Sequence, residues 1–175
     1  MHRFSTLAHW CTVFTLQGLG KANEQIIDEL QMSGATRLVR ALQGISLQKA
    51  IFATGMFSLF EAELQDVLND EYAFKAAKAL LKEGGDIVLC EEFGNYADAI
   101  NVLKHGRGRS YDRLVRRHYA LPFRVKLPDE SFFDEGDVSE VSTLIYVDDA
   151  FVTACADVID RVAATLRSYY PETFV

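Results

Sequence analysis

The sequence has few residues that break helices and few that cross-link chains. Three prolines and eleven glycines in 175 residues allow long helices and disfavour a many-stranded β-sandwich. Three widely spaced cysteines argue against a disulfide framework and predict a reducing compartment, for which we take the cytoplasm. No stretch reaches the roughly 18 apolar residues of a membrane span. We therefore predict no membrane partner.

The overall composition is that of one globular domain. Hydrophobic residues make up 49% and charged residues 25% of the chain. This mix excludes a disordered or fibrous protein and predicts a single domain over residues 1–175. The formal net charge is −7, so the chain as a whole is not attracted to nucleic acid or anionic lipid.

Residues 4–20 contain no Asp, Glu, Lys or Arg. Phe4, Leu7, Cys11 and Phe14 recur at helical spacing. Polar residues interrupt the apolar run and no small-x-small cleavage pair follows, as a secretory signal would require. We predict a helix that buries this apolar face.

Hydrophobic periodicity predicts an all-α bundle of five or six helices. Between the last two helices, residues 122–128 have an extended pattern, and residues 138–147 alternate imperfectly, as a strand or a coil would. We predict a small β-hairpin between residues 123–127 and 138–147, with coil as the alternative.

After the first helix, we predict helices over residues 23–32, 35–68 (with a break near Gly44 as the alternative), 71–82, 86–104 and 148–169, and a short helix over residues 110–119. Ser110 or Asp112 would cap the short helix, and Asp148 or Asp149 the last one. The predicted apolar face of the last helix consists of Phe151, Cys155, Val158, Ile159, Val162 and Leu166.

Charge is divided between two adjacent segments. The basic segment, residues 101–126, holds six arginines and two lysines against the single acid Asp112. The acidic segment, residues 128–160, holds ten carboxylates and no lysine or arginine. An arginine-rich segment suits bidentate phosphate binding. In the alternative interpretation, the acidic segment folds over the basic segment and neutralises it.

Asn101 and His105 are candidate catalytic residues because, four apart on a helix, they point the same way. His105 falls in the last turn, with Gly106 as the helix cap. A histidine there can shuttle protons, and Asn101 can position the imidazole or a phosphate. The alternative is a helix-end histidine that hydrogen-bonds a carbonyl group.

Glu61 is the third candidate, because a carboxylate in a mostly apolar helical stretch requires a partner. It would fix His105 or an arginine; the alternative is plain solvent exposure. None of the four histidines has a second histidine or a cysteine at metal-ligand spacing. We therefore predict neither a metal site nor a cofactor.

The long helix with residues 56–61, followed by a helix that ends in Asn101-x-x-x-His105-Gly106, resembles the HEPN domain superfamily. Those domains are all-α bundles, usually dimeric. Many are metal-independent endoribonucleases of bacterial defence and toxin–antitoxin systems. The similarity covers residues 35–105, and its motif is an arginine, often followed by asparagine, with a histidine four to six residues beyond the arginine.

Asn101 and His105 match this motif, whereas Ile100 stands where its arginine belongs. Arg113 and His118 also satisfy the arginine–histidine spacing, after the glycine-containing loop. The resemblance implies a homodimer in which the histidine takes part in 2′-hydroxyl transesterification. The candidate phosphate-binding residues are Lys104, Arg107, Arg109 and Arg113.

Two functions therefore follow from the sequence, in different classes. The first is an RNA-binding protein or metal-independent endoribonuclease. The second is a non-catalytic helical interaction module that dimerises or binds a partner protein. A small-molecule binder with a pocket inside the bundle is a third, weaker option.

Overall fold

The computed structural model describes residues 4–130 and 141–169, and it confirms the all-helical architecture in this part of the chain. A 3₁₀ turn, His118–Ala120, follows the fifth helix. The α-helices are α1 Phe4–Met32, α2 Thr36–Leu68, α3 Ala73–Glu83, α4 Ile87–His105, α5 Arg109–Arg116 and α6 Asp149–Tyr169.

Two groups of helices share one core. Helices α1, α2 and α6 contact one another, and α3 and α4 pack against α2 and α6. Four phenylalanine rings meet where α2, α3 and α4 converge. Their centroids lie 5.1–6.4 Å apart, at the separations preferred by aromatic pairs. These rings are Phe57, Phe60, Phe74 and Phe93.

The structure confirms the predictions for α2 and α6. Helix α2 is continuous through Gly44, where the sequence also allowed a break. Helix α6 begins after Asp148, whose carboxylate accepts a hydrogen bond from the Phe151 amide at 2.8 Å, as an N-cap residue does. All six residues predicted for the apolar face of α6 are buried: Phe151, Cys155, Val158, Ile159, Val162 and Leu166.

The prediction for the first helix is wrong in two respects. Helix α1 runs unbroken from Phe4 to Met32, because two separated glycines weaken a helix without breaking it. It also turns its smaller residues inward. Ser5, Ala8 and Thr12 are buried, whereas three of the four residues predicted for the buried face are exposed: Leu7, Cys11 and Phe14.

The predicted β-hairpin is reduced to one antiparallel bridge, between Val125 and Ile145. No strand occurs in residues 4–130 and 141–169, and residues 138–140 of the predicted second strand lie outside the described part. Pro122 and Pro128 bracket the first segment. Because proline donates no backbone hydrogen bond, neither end can extend a ladder.

None of the helices in the described residues is long and apolar enough to cross a membrane.

Candidate functional site

Helix α4 is followed by Gly106, which has a backbone conformation that only glycine adopts readily. Gly106 has φ 71° and ψ −140°, and its amide donates to the Val102 carbonyl at 2.8 Å. Two residues later, α5 starts with a bond from the Asp112 amide to the Gly108 carbonyl at 2.9 Å. The sequence predicted Ser110 or Asp112 as the cap of α5. Both instead lie inside the helix, after Gly108.

The turn between α4 and α5 forms an open pocket of about 490 Å³, which we call the α4–α5 pocket. The structure thus brings together the asparagine and histidine candidates and two of the four phosphate-binding candidates. The lining residues are Asn101, His105, Gly106, Arg107, Gly108, Arg109 and Ser110.

The polar groups of this pocket are largely free. The side chains of Asn101, His105 and Arg109 form no hydrogen bond or ion pair with any residue in the described ranges. The alternative interpretation required the His105 side chain to hydrogen-bond a carbonyl group, and it forms no such bond with a described residue. The guanidinium of Arg107 lies over the face of the Tyr111 ring, with its central carbon 5.9 Å from the ring centroid.

The electrostatics of the pocket favour an anion. Arg107 and Arg109 contribute two positive charges, and the free amide groups of the first turn of α5 add the positive end of the helix dipole. His105 contributes an exposed imidazole. This set of groups can bind a phosphate and hold or release a proton beside it.

A buried carboxylate on α4 holds α5 in place. Asp98 accepts hydrogen bonds from Arg113 Nε at 2.8 Å, from Arg117 Nη2 at 3.0 Å and from the Ser110 hydroxyl at 3.2 Å. A second Arg113 nitrogen, Nη2, also donates to Asp98. It donates to the Ser110 hydroxyl as well, at 3.0 Å. The hydrogen bond with Asp98 raises the pKa of Arg113.

This network engages Arg113, one of the residues predicted to bind phosphate. Its guanidinium hydrogen-bonds Asp98 and does not line the α4–α5 pocket, so the structure places it in the support of α5. Ser110 connects the network to the pocket, since it binds Asp98 and also lines the pocket.

Two other predicted residues stand apart from the pocket. Glu61 is partly exposed on α2, does not line the pocket and forms no hydrogen bond or ion pair with any described residue. The predicted contact from Glu61 to His105 or an arginine is therefore absent from the described part of the chain. Lys104 is exposed beside His105, outside the pocket lining.

The second arginine–histidine pair is separated in the structure. Arg113 binds Asp98, whereas a ring nitrogen of His118, Nδ1, lies 2.8 Å from the Val115 carbonyl. The His118 ring also meets Tyr119 edge to face, with centroids 5.8 Å apart. These two residues therefore have different partners and do not form one cluster.

The acidic segment contributes one ion pair to the basic segment within the described residues, from Arg124 to Glu130 at 3.5 Å. Two of its other carboxylates turn elsewhere: Asp149 binds Lys49 at 2.6 Å, and Asp157 lies 3.8 Å from His9. Four further acidic residues of the segment that was predicted to neutralise the basic one lie outside the described ranges: Asp134, Glu135, Asp137 and Glu140.

Sequence reasoning missed Asp98, although a signal was present. Asp98 lies three residues before Asn101 and seven before His105, so all three share one face of α4. It also lies between two buried residues, Ala97 and Ala99. A carboxylate in such a position requires a cationic partner, and the basic segment supplies one.

Comparison with known protein families, with curated proteins and with solved structures finds no match. The fold and site therefore define an all-helical domain with a cationic, histidine-containing pocket. The resemblance to the HEPN superfamily stays a prediction from the sequence.

Proposed function

We propose that the chain binds RNA in the α4–α5 pocket and cleaves it as a metal-independent endoribonuclease. The observation that carries this proposal is the shared lining of one open pocket by His105, Asn101, Arg107 and Arg109. The motif residues of the HEPN resemblance, Asn101 and His105, are among them. In this proposal Arg107, in the turn, and Arg109, the first residue of α5, substitute for its missing arginine.

The scissile phosphate binds between Arg107, Arg109 and the first amides of α5 in this proposal. Arginine suits this position because its planar guanidinium donates two parallel hydrogen bonds to phosphate oxygens. Lys104, exposed one residue before His105, adds charge for the neighbouring phosphate. The site binds the backbone rather than the bases, so affinity depends strongly on salt.

His105 acts as the general base. The neutral imidazole takes the proton of the 2′-hydroxyl, and the 2′-oxygen forms a bond to phosphorus as the bond from phosphorus to the 5′-oxygen breaks. The leaving 5′-oxygen takes a proton from water. The products carry a 2′,3′-cyclic phosphate and a 5′-hydroxyl. Asn101, one helical turn before His105, orients the imidazole or the phosphate. In this proposal two copies of the chain act as a homodimer.

The test is cleavage of a mixed RNA pool in the presence of EDTA, by the wild-type chain and by His105→Ala. We expect cleavage that resists EDTA, leaves 2′,3′-cyclic phosphate ends and falls at least 100-fold in the variant. His118→Ala is the matched control, an exposed histidine of the same basic segment, and it should retain activity. Loss of cleavage in His118→Ala but not in His105→Ala would contradict the assignment of the site.

A non-catalytic interaction module is the second candidate function. The commitment of Arg113 to Asp98 favours it, because Ile100 already replaces the motif arginine and Arg113 is no longer available to substitute. Absence of cleavage together with absence of salt-dependent RNA binding would support this module and contradict the nuclease.

A further inference from the structure

Helix α1 carries large apolar side chains on its outer face. Leu7 is 47%, Trp10 68% and Phe14 79% exposed, at the i, i+3, i+7 spacing of a single helical stripe. Cys11, also exposed, lies on the same side, one turn after Leu7. We call these residues the α1 face.

The α1 face has the pattern of a surface that is normally covered. Its spacing predicted burial from the sequence, yet the packing of α1 against α2 and α6 uses the opposite side, with Ser5, Ala8 and Thr12. Exposed apolar patches of this kind mark interaction sites in soluble proteins.

Charge identifies the occupant. Residues 4–20 contain no Asp, Glu, Lys or Arg, while the whole chain carries a formal charge of −7. Two copies of an acidic chain repel each other over most of their surface, and an uncharged face is where they can approach without like-charge contacts. A two-fold dimer also needs one surface that is complementary to itself, which an uncharged apolar stripe can be.

We propose that a second copy of this chain covers the α1 face and that the two α1 helices pack together in a symmetric homodimer. The two aromatic side chains supply part of the area that such an interface needs. An aromatic side chain offers about 150–250 Å², so Trp10 and Phe14, at 68% and 79% exposure, present together on the order of 300 Å² per copy. The exposed aromatic areas of two copies together supply about half of the roughly 1,200 Å² that a small specific interface buries. The areas of Leu7, Cys11 and Val13 add to this. This inference does not depend on RNA chemistry.

The chain carries its own reporter for this interface. Trp10 is the single tryptophan, so its fluorescence reports directly on whether the α1 face is in water. Cys11 is exposed while Cys90 and Cys155 are buried, so a bismaleimide reacts there first.

The first test measures mass by light scattering after gel filtration of the full chain. We expect twice 19.7 kDa for the wild type and a single 19.7 kDa mass for Phe14→Asp. Val88→Asp is the matched control, because Val88 is also 79% exposed but lies on α4, and it should stay dimeric. The tryptophan emission of Phe14→Asp should shift to longer wavelength, and that of Val88→Asp should not. A monomeric wild type at micromolar concentrations, or a dimeric and folded Phe14→Asp, would overturn the proposal.

The second test needs no disruptive variant. A short bismaleimide should cross-link the wild-type chain into a covalent dimer, and Cys11→Ser should abolish the product. Absence of the product in wild type at micromolar concentrations would contradict a symmetric packing of α1 on α1.

Vesicles of phosphatidylcholine and phosphatidylserine test the competing explanation, that a membrane surface covers the α1 face. If a monomeric wild type binds them with a blue shift of Trp10 emission, a membrane surface rather than a second copy covers the α1 face.

Discussion

Asp98 and Arg113, on consecutive helices, form a hydrogen-bonded ion pair in which Arg113 Nε donates to Asp98 Oδ2 at 2.8 Å. The Asp98 side chain is 11% exposed and that of Arg113 46%, so the pair lies at the edge of the core. Arg117 shares the same carboxylate. The pair fixes the angle at which α5 leaves the turn after α4, and the α4–α5 pocket is built on that turn.

Asp98→Asn should destabilise the fold. The substitution leaves Arg113 and Arg117 without a counter-charge, and because both are partly exposed we expect a loss of about 1–3 kcal/mol rather than the larger cost of a fully buried pair. Urea unfolding followed by circular dichroism measures this loss. Asp66→Asn, an exposed position on α2, is the control and should change the free energy of unfolding by less than about 0.5 kcal/mol. Equal stability of the two variants would show that the network does not fix α5.

Gly106→Ala and Gly55→Ala should have opposite effects. Gly106 has a φ of 71°, so alanine there is strained and should cost about 1–3 kcal/mol. Gly55 lies within α2 with open space around it, so alanine there should stabilise the chain by about 0.5–1 kcal/mol. Thermal unfolding of the two variants measures both changes. A stabilising Gly106→Ala would mean that the chain turns differently after α4.

Arg107→Ala and Arg109→Ala should each weaken the salt dependence of RNA binding, if the proposed function holds. Each phosphate contact to a single strand contributes about 0.7 to the slope of log affinity against log salt, so each variant should lower the slope by about that amount. Fluorescence anisotropy of a labelled single-stranded RNA at several salt concentrations gives the slope. Arg40→Ala, an exposed arginine of α2, is the matched control. An unchanged slope in both pocket variants would place RNA elsewhere.

Native thiol labelling should modify one cysteine. Cys11 is exposed, whereas Cys90 is 3% exposed and Cys155 is fully buried. Burial also raises the pKa of Cys155 well above its ordinary value, so its reactive thiolate stays scarce as the pH rises through the mildly alkaline range. Ellman's reagent should titrate one thiol in the native chain and three after denaturation, with a faster reaction at higher pH. Rapid native labelling of all three would contradict the packing of α4 and α6.

Sequence reasoning succeeded where one local pattern decided the outcome. The apolar stripe of α6 and the cap at Asp148 were readable, because both depend on residues a few positions apart. Asn101 and His105 were readable as one cluster for the same reason. Their spacing of four places them on one side of any helix.

It failed where two local patterns competed. Helix α1 has an apolar stripe that includes Leu7 and Phe14, and on the opposite side a stripe of small residues that includes Ala8 and Thr12. The chain packs the small-residue stripe against α2 and α6 because small side chains allow close approach. The spacing of apolar residues alone could not reveal this preference.

By itself, the sequence determined that this chain is helical, where most helices begin and end, and that a histidine and an asparagine share the last turns of α4. Only the tertiary structure decided that Arg113 serves Asp98 while Arg107 and Arg109 remain in the pocket. The physical reason is distance along the chain. Asp98 and Arg113 are fifteen residues apart, and whether they meet depends on the backbone turn at Gly106, which side-chain periodicity does not encode.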